Sequence, residues 1–536
     1  MNKNLLFLAI IWLFVVINFS QTKAANSTPL NLIPYPDFIE IRNGKCNMTL
    51  GFNIKGQSIN RDYLKKMLTA DFKLKPNKKG LEISLSLDKN FSAVKEAYEL
   101  EVTKQGILIT AAAENGIFYG IQTLRQLIDG NDVPYIYIKD KPALAHRAYM
   151  LDEARYFKGK QAVENMLDEI AQLKFNKFHW HLTDDTGWRI EIKKYPLLTE
   201  VGSKRDSTQI NDDGKKWQSE KFDGKVHQGF YTQKDIKEII KYAEERYITI
   251  IPEISMPGHA SAAVASYPWL GTLKEKIKVP TKFGVESTVF NPADDRVIAF
   301  LHDVLREVAT LFPSEIIHIG GDEVKYGQWK ESGDVIKYMQ QYNLQTYSDV
   351  QVKFTNDMSN FIDKELNKKM MGWNEILGAQ VHDWSTDINS KMNLSSNAII
   401  HFWYGKPEIL KLALDRGHQV VNSHNVFTYM DYTYDLINLQ KAYSFNPVSD
   451  TLSLAQQQQI IGIGCQMWGE WTPSIKEVEY QTFPRIAAYA EVGWTSKAHK
   501  NYSRFRNGVE KLMSNWERKG YNIAPMEIAE KEIKPN

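Results

Sequence analysis

Cysteine is nearly missing from this chain: Cys46 and Cys465 are the only two among 536 residues. They stand far apart in sequence, which excludes a disulfide framework and predicts two free thiols. A surplus of either charge is missing too. The 66 Lys and Arg offset 64 Asp and Glu, for a formal net charge of +2. No block of like charge occurs, so nothing electrostatic points to a nucleic-acid partner. Internal repeats and low-complexity tracts are also absent, which excludes solenoids and disordered arrays. Long apolar runs are confined to residues 5–17, short of the ~20 residues that a membrane span needs.

What is present is the material of a large globular enzyme. Hydrophobic residues make up 43% of the chain and charged residues 24%, enough to bury a full core. Aromatics reach 12%, with 13 Trp. They suit flat apolar ligand faces as well as core and interface packing. The N-terminus places Lys3 before the apolar run and small residues around Ala24 and Ala25 after it. This is the layout of a secretory signal peptide, with an uncleaved anchor as the alternative, and no Cys follows that could carry a lipid. Asn47-Met48-Thr49 and Asn501-Tyr502-Ser503 fit the glycosylation pattern, which matters only in a eukaryotic secretory route.

Length alone suggests roughly three domains, but a single α/β barrel takes ~250 residues or more. Residues 81–87 alternate apolar and polar, residues 98–102 and 107–111 read as a hairpin around Gln105-Gly106, and residues 116–128 have helical spacing. These belong to a small α+β domain without a chemical cluster of its own. Past Pro142 the rhythm becomes βα units. Strands are expected at residues 148–151, 177–182, 248–254, 315–319, 369–373, 398–403, 419–423 and 460–466. The clearest helices between them fall at 161–173, 232–245, 296–311 and 350–366. Eight such strands close a (β/α)8 TIM barrel. The expected division is a signal peptide over 1–24, an N-terminal α+β domain over 25–142, the barrel over 143–500 and a helical tail packed on it over 501–536.

Active sites of such barrels lie at the C-terminal strand ends, so the residues found there test the reading. In strand order they are Asp152 and Arg155; His179, His181, Asp184 and Asp185; Glu253 and His259; Asp322 and Glu323; Trp373 and Glu375; Trp403; Tyr429 and Asp431; Trp468 and Glu470. Every strand contributes. The sharpest stretch is His318-Ile319-Gly320-Gly321-Asp322-Glu323. Two glycines permit a close turn, and two adjacent carboxylates push one pKa up, as leaving-group protonation requires. Carboxylates beside several Trp suit carbohydrate, whose C–H faces stack on indole while its hydroxyls need polar partners.

These residues resemble glycoside hydrolase family 20, the β-N-acetylhexosaminidases. The resemblance is carried by Leu151-Asp152-Glu153-Ala154-Arg155, His179-Trp180-His181-Leu182-Thr183-Asp184-Asp185, Met256-Pro257-Gly258-His259, His318 through Glu323, Gly372-Trp373-Asn374-Glu375, Tyr429-Met430-Asp431 and Trp468-Gly469-Glu470. Ile33-Pro34-Tyr35-Pro36 resembles the domain that precedes the barrel. The resemblance implies an exo-acting, retaining enzyme that hydrolyses terminal N-acetylglucosamine or N-acetylgalactosamine through an oxazolinium intermediate, with no metal or other cofactor. It implies Glu323 as general acid and base, Asp322 as the partner of the acetamido N–H and Tyr429 as donor to the acetamido oxygen. Trp373, Trp403 and Trp468 would form the pocket, and Arg155, Asp431 and Glu470 would grip hydroxyls. His259 and Asp184 would be the relay that tunes Glu323. One departure is Ser255, where the family often has an acidic residue. The expected product is exported to periplasm or medium, or to the lysosome in a eukaryote, with no membrane span after signal removal.

Two other readings stand beside this one. His179 and His181 have ligand-like spacing, and with His259, His318 and Asp322 they could build a metal-dependent hydrolase. A glycan-binding protein without catalysis is the other; such proteins lose the acid first, and Glu323 is present.

Overall fold

The computed structural model describes residues 30–382 and 389–533, so the signal-peptide assignment lies outside the described residues. The leading segment builds a six-stranded sheet. Its strand order is Phe38–Asn47, Asp132–Asp140, Tyr98–Thr103, Gly106–Ala111, Leu81–Leu87 and Phe52–Lys55. The hairpin expected around Gln105-Gly106 pairs Thr103 with Gly106 in antiparallel register. Gly106 has a φ of 149°, and a Cβ there would meet the Glu82 carbonyl at 2.6 Å. Helix Glu114–Leu127 packs on this sheet through Ile117, Phe118, Ile121 and Leu124, all fully buried.

The eight barrel strands follow in chain order: His146–Asp152, Lys177–His181, Thr249–Glu253, Ile316–His318, Lys369–Trp373, Ile399–Phe402, Val420–Asn422 and Ile460–Met467. Each pairs in parallel with the next, and the eighth closes on the first. All eight overlap the stretches expected from the sequence. Every residue of the first strand is buried, as parallel strands covered by helices on the outside should be.

The intervening helices owe their ends to local chemistry. Helix Gln233–Glu244 starts at a Thr232–Asp235 capping box and turns Ile236, Ile239, Ile240 and Ala243 inward. Helix Asp295–Leu311 starts at Asp294, whose side chain takes the Arg296 N–H.

The sheet meets the barrel on the face opposite the site. Lys174, just before the second strand, and Asp140 at the end of a sheet strand form an ion pair at 2.8 Å with both side chains wholly buried. Asp140 also accepts from Tyr98 Oη at 2.6 Å and Trp494 Nε1 at 2.9 Å. Arg147 at the start of the first strand holds Glu96. The tail helix Tyr502–Arg518 lays Phe505, Val509, Met513 and Trp516 inward. Trp516 Nε1 donates to Glu169 of helix Lys160–Gln172 at 2.9 Å. Among the described residues no helix is long and apolar enough to cross a membrane.

Candidate active site

Register sets the site. Asp152 pairs with His181, His181 with Glu253, and Glu253 with His318, so the ends of the first four strands stand side by side. Side chains two residues apart share one face of a strand, which is why His179 and His181 both reach inward to Glu253. That carboxylate sits under the pocket floor. Its Oε2 lies 2.8 Å from both His179 Nε2 and His181 Nδ1, and its Oε1 accepts the Trp373 indole N–H at 2.9 Å. Burial opposes its charge, but the surrounding histidines hold it well below the usual carboxylate range. Burial also opposes a charge on His181, yet Glu253 and Asp184 win and carry it up to about 10. Burial dominates at His179 and lowers it to about 4.

Above this floor the fourth strand ends in a strained turn. Gly320 and Gly321 have φ of 68° and 87°, and Glu323 itself has φ 50°. A Cβ on Gly321 would strike Ile376 at 2.4 Å. Gly320 donates its N–H to His318 Nδ1 at 3.0 Å, which leaves the His318 Nε2–H to face His401 Nδ1 at 3.3 Å. A left-handed non-glycine residue costs of order 1–3 kcal/mol and persists only where its surroundings impose it. Here it aims the Glu323 carboxylate at the pocket. Asp322 is the deeper of the pair; Glu323 keeps a quarter of its side chain exposed.

His259, also left-handed at φ 50°, faces both carboxylates. Its Nε2 lies 3.6 Å from Asp322 and 3.7 Å from Glu323. Its Nδ1 lies 3.0 Å from Asp185 and 3.5 Å from Asp184. Burial works against a charge on His259, but Asp184, Asp322 and Asp185 together raise its pKa well above the ordinary value. Burial raises both acids, with Asp322 reaching about 8; His259 works against the rise, and Glu375 adds to it. Asp185, which the sequence places at the rim without a role, is thus the nearer partner of His259. Asp184 turns to Arg155 and His181, at 2.9 Å each. Ser255 Oγ donates to the Thr183 carbonyl at 2.8 Å, and the carboxylates at His259 Nδ1 come from the second strand's loop.

The aromatic residues form a box. Trp373 is 1% exposed and stacks on His401, with ring centres 4.2 Å apart. Trp403 crosses it edge-on at 6.5 Å and lies parallel to Tyr429 at 5.8 Å. Trp468 stands 5.7 Å from Trp373 and 6.0 Å from Tyr429. Glu375 accepts the Trp403 indole N–H at 2.9 Å and pairs with His382 at 2.9 Å, contacts that fix the box wall. Arg155 lies over the Trp468 ring at 5.2 Å and 3.6 Å from Glu470. Burial, with Glu470 adding, carries Asp431 up to about 7.

Arg155, Asp322, Glu323, Trp403, Tyr429, Asp431, Trp468 and Glu470 all line one cavity of about 350 Å³. That is near the small end of the roughly 300–1,000 Å³ usual for ligand pockets. Trp373 lies beneath, and His259 and Asp184 stand behind. Among the described residues Asp431 Oδ1 is buried without a hydrogen-bond partner, and Trp468 Nε1 faces no partner other than the pocket's own Tyr429. Orphaned polar atoms on a cavity wall are what a polar ligand would satisfy.

For metal-ligand chemistry, the rival expectation, three clusters among the described residues have the right donor types: His179–Glu253–His318, Asp184–Asp185–His259 and His259–Asp322–Glu323. Their donors are already engaged. His318 Nδ1 has its single lone pair on the Gly320 N–H, and Glu253 Oε1 holds Trp373. Asp184 is committed to Arg155 and His181, and Asp185 Oδ1 takes the Ser261 hydroxyl at 2.6 Å. The third cluster is the acid pair and its histidine. The donor set fits ion pairing better than a metal.

Known proteins agree with this geometry. The profile "Glycosyl hydrolase family 20, catalytic domain" matches residues 144–497, and its "domain 2" matches residues 29–141. The chain belongs to glycosyl hydrolase family 20. It is 33% identical over 465 residues to a β-hexosaminidase of Porphyromonas gingivalis, covering 83% of this chain and 56% of that one, so it spans little more than half of that relative's length. With a β-hexosaminidase of Vibrio furnissii it shares 34% over 503 residues, covering 89% of this chain and 79% of the other. The crystal structure of an exo β-N-acetylglucosaminidase from Vibrio harveyi in complex with N-acetylglucosamine superposes with a TM-score of 0.79 at 29% identity. That match covers 93% of this chain and 78% of the other. A β-N-acetylhexosaminidase from Bacteroides fragilis gives 0.78 at 29% identity, covering 94% and 99%. As a member of this family the chain is a glycoside hydrolase of the β-hexosaminidase group.

Proposed function

We propose that this enzyme removes single terminal N-acetylglucosamine or N-acetylgalactosamine residues from β-linked glycans or chitooligosaccharides, with retention, the substrate's own acetamido group serving as nucleophile. The observation that carries the reading is the closed Trp373–Trp403–Trp468 box beside Asp322 and Glu323. Tyr429 stands on its wall, and the box adjoins the cavity that the acid pair lines.

In the first step the acetamido oxygen bonds to the anomeric carbon as the bond to the leaving oxygen breaks. Glu323 gives its proton to that oxygen. Burial raises its pKa, which favours the protonated form this step uses. Tyr429 donates to the acetamido oxygen and Asp322 accepts from the acetamido N–H. The positive charge that develops on the oxazolinium ring favours the ionised form of Asp322, so this interaction strengthens toward the transition state. Water then adds to the anomeric carbon, Glu323 takes its proton, and the ring opens with the original configuration restored. Holding the nucleophile in a near-attack pose raises its effective concentration by many orders of magnitude, which is what the aromatic walls supply. Arg155, Asp431 and Glu470 bind hydroxyls, Arg155 through its planar fork of donors. Export, directed by residues 1–24, puts this activity outside the cytoplasm.

The test is release of p-nitrophenol from p-nitrophenyl N-acetyl-β-glucosaminide and its galactosaminide counterpart by the chain from Ala25 onward, beside Glu323→Gln. Fast release by the first and a drop of about 10²–10⁴ in the second are expected. Silence from the unaltered chain on both glycosides would refute the reading.

A further inference from the structure

The loop after the second strand brings an exposed indole to the pocket. Trp217 is 51% exposed and lines the same cavity as Asp322 and Glu323, yet it lies outside every stretch that carried the family resemblance. Single exposed hydrophobic side chains are common and need no explanation, but this one lies on a cavity wall and the backbone around it is tied down. It sits on the single turn Lys216–Gln218, where Lys216 has a left-handed φ of 36°. Gln209, wholly buried, ties that turn down. Its amide donates to the Ser219 carbonyl at 2.7 Å and the Lys216 carbonyl at 3.4 Å, and its oxygen accepts the Phe283 N–H at 2.9 Å. Trp217 itself meets Trp471 edge-on at 5.3 Å, and Trp471 meets Phe283 edge-on at 5.4 Å.

This brace fixes which end of the pocket Trp217 closes. Trp471 directly follows Glu470, and Lys216, directly before Trp217, is close enough to Asp431 to lower its pKa, which sets the indole toward the hydroxyl-binding end of the cavity that Asp431 and Glu470 line. Under the function proposed above, the glycosidic oxygen lies at Glu323, and Glu470 meets the opposite edge of the sugar, which bears the hydroxyls remote from the anomeric carbon. We infer that Trp217, backed by Trp471, is the end wall of the sugar pocket and sets which substituents those remote hydroxyls can carry. With the wall in place the cavity ends at one ring, and a sugar extended or capped on that edge collides with the indole.

The experiment compares p-nitrophenyl N-acetyl-β-glucosaminide with its 4-O-propyl and 6-O-propyl ethers, in the unaltered enzyme and in Trp217→Ala. Each ether loses a hydroxyl donor, but that loss is common to both enzymes and cancels in the ratio of kcat/KM for ether over parent. Trp217→Ala should raise that ratio threefold or more for at least one ether, while Trp217→Phe, which keeps a ring against Trp471, holds it closer to the starting value. A change below threefold for both ethers would overturn the inference. If the alanine variant does not fold, Trp217→Leu reads the same ratio. The inference rests on the function proposed above, whose failure is separately visible as silence of the unaltered enzyme on the parent glycoside.

Discussion

His259 and Asp185 are joined at 3.0 Å through Nδ1, while Asp184, one residue earlier, lies 3.5 Å from the same nitrogen and 2.9 Å from Arg155. Both neighbours therefore face His259, but only Asp184 is shared with Arg155, and their asparagine variants should differ in KM. Asp185→Asn removes a charge that keeps His259 protonated, so the His259 pKa falls. Once neutral, His259 no longer lowers Glu323, and the Glu323 pKa rises. The acid then stays protonated to higher pH, and the alkaline limb of kcat moves upward by about one unit, the equivalent of about 1.4 kcal/mol. Asp184→Asn also withdraws a charge from His259 and in addition loosens Arg155, so it should move the limb in the same direction and raise KM as well. pH–rate profiles of both variants check this; a downward shift in Asp185→Asn would contradict it.

The reacting group of the substrate should matter more than any single side chain. If the acetamido oxygen is the nucleophile, p-nitrophenyl β-glucoside, which has a hydroxyl in its place, leaves the aromatic box empty and supplies no nucleophile. Its kcat should fall by about 10³ or more, since correctly placed intramolecular groups act at effective molarities of 10⁵ M and above. A glucoside turned over within tenfold of the acetamido substrate would point to a protein carboxylate as nucleophile.

Much of this was legible before the structure. The eight strands could be read because each is a short apolar run that ends in polar residues, and a buried parallel strand has no other way to look. The rim residues followed from strand polarity alone. Three things were not legible. The Glu253-centred floor depends on register between strands, which no local pattern encodes; the rim placed His179, His181 and Glu253 but not their mutual contact. The preference of His259 for Asp185 over Asp184 depends on a left-handed φ of 50° at a non-glycine residue, and spacing cannot announce that. Trp217 sits in a long loop whose path is set by Gln209 and Phe283, residues without a motif.

The wall of the box should respond to the carboxylate behind it. Glu375 accepts the Trp403 indole N–H and also pairs with His382. Glu375→Gln keeps an acceptor for the indole but removes the charge, whereas Glu375→Ala leaves a buried donor unpaired, at about 1–3 kcal/mol. Glutamine should therefore cost less than alanine. The loss in alanine should fall on kcat more than KM, because a tilted Trp403 misaims the acetamido group without releasing the hydroxyls. A pure KM effect would place Glu375 in sugar binding instead.

The contact between sheet and barrel carries the last expectation. Lys174 and Asp140 are both wholly buried at 2.8 Å, and Asp140 also accepts from Tyr98 and Trp494. Four donors would remain if Lys174 were lost, from Tyr98, Trp494 and the Lys141 and Asp37 N–H groups, but the opposite charge would be gone from a buried site. Breaking a buried pair from one side costs about 3–5 kcal/mol, whereas replacing both partners is often close to neutral. Lys174→Met should therefore lower the denaturant midpoint sharply. The double change Lys174→Met with Asp140→Asn should recover much of the loss, because the amide oxygen can take the Trp494 and Lys141 donors now on Oδ1 while the amide NH2 faces Tyr98 Oη, which can accept, and no charge is left to compensate. The pair lies on the opposite face from Glu323, so kcat of the folded single variant at low temperature should stay within about threefold of the starting enzyme. A double variant no more stable than the single one would show that the pair acts through hydrogen-bond geometry rather than charge.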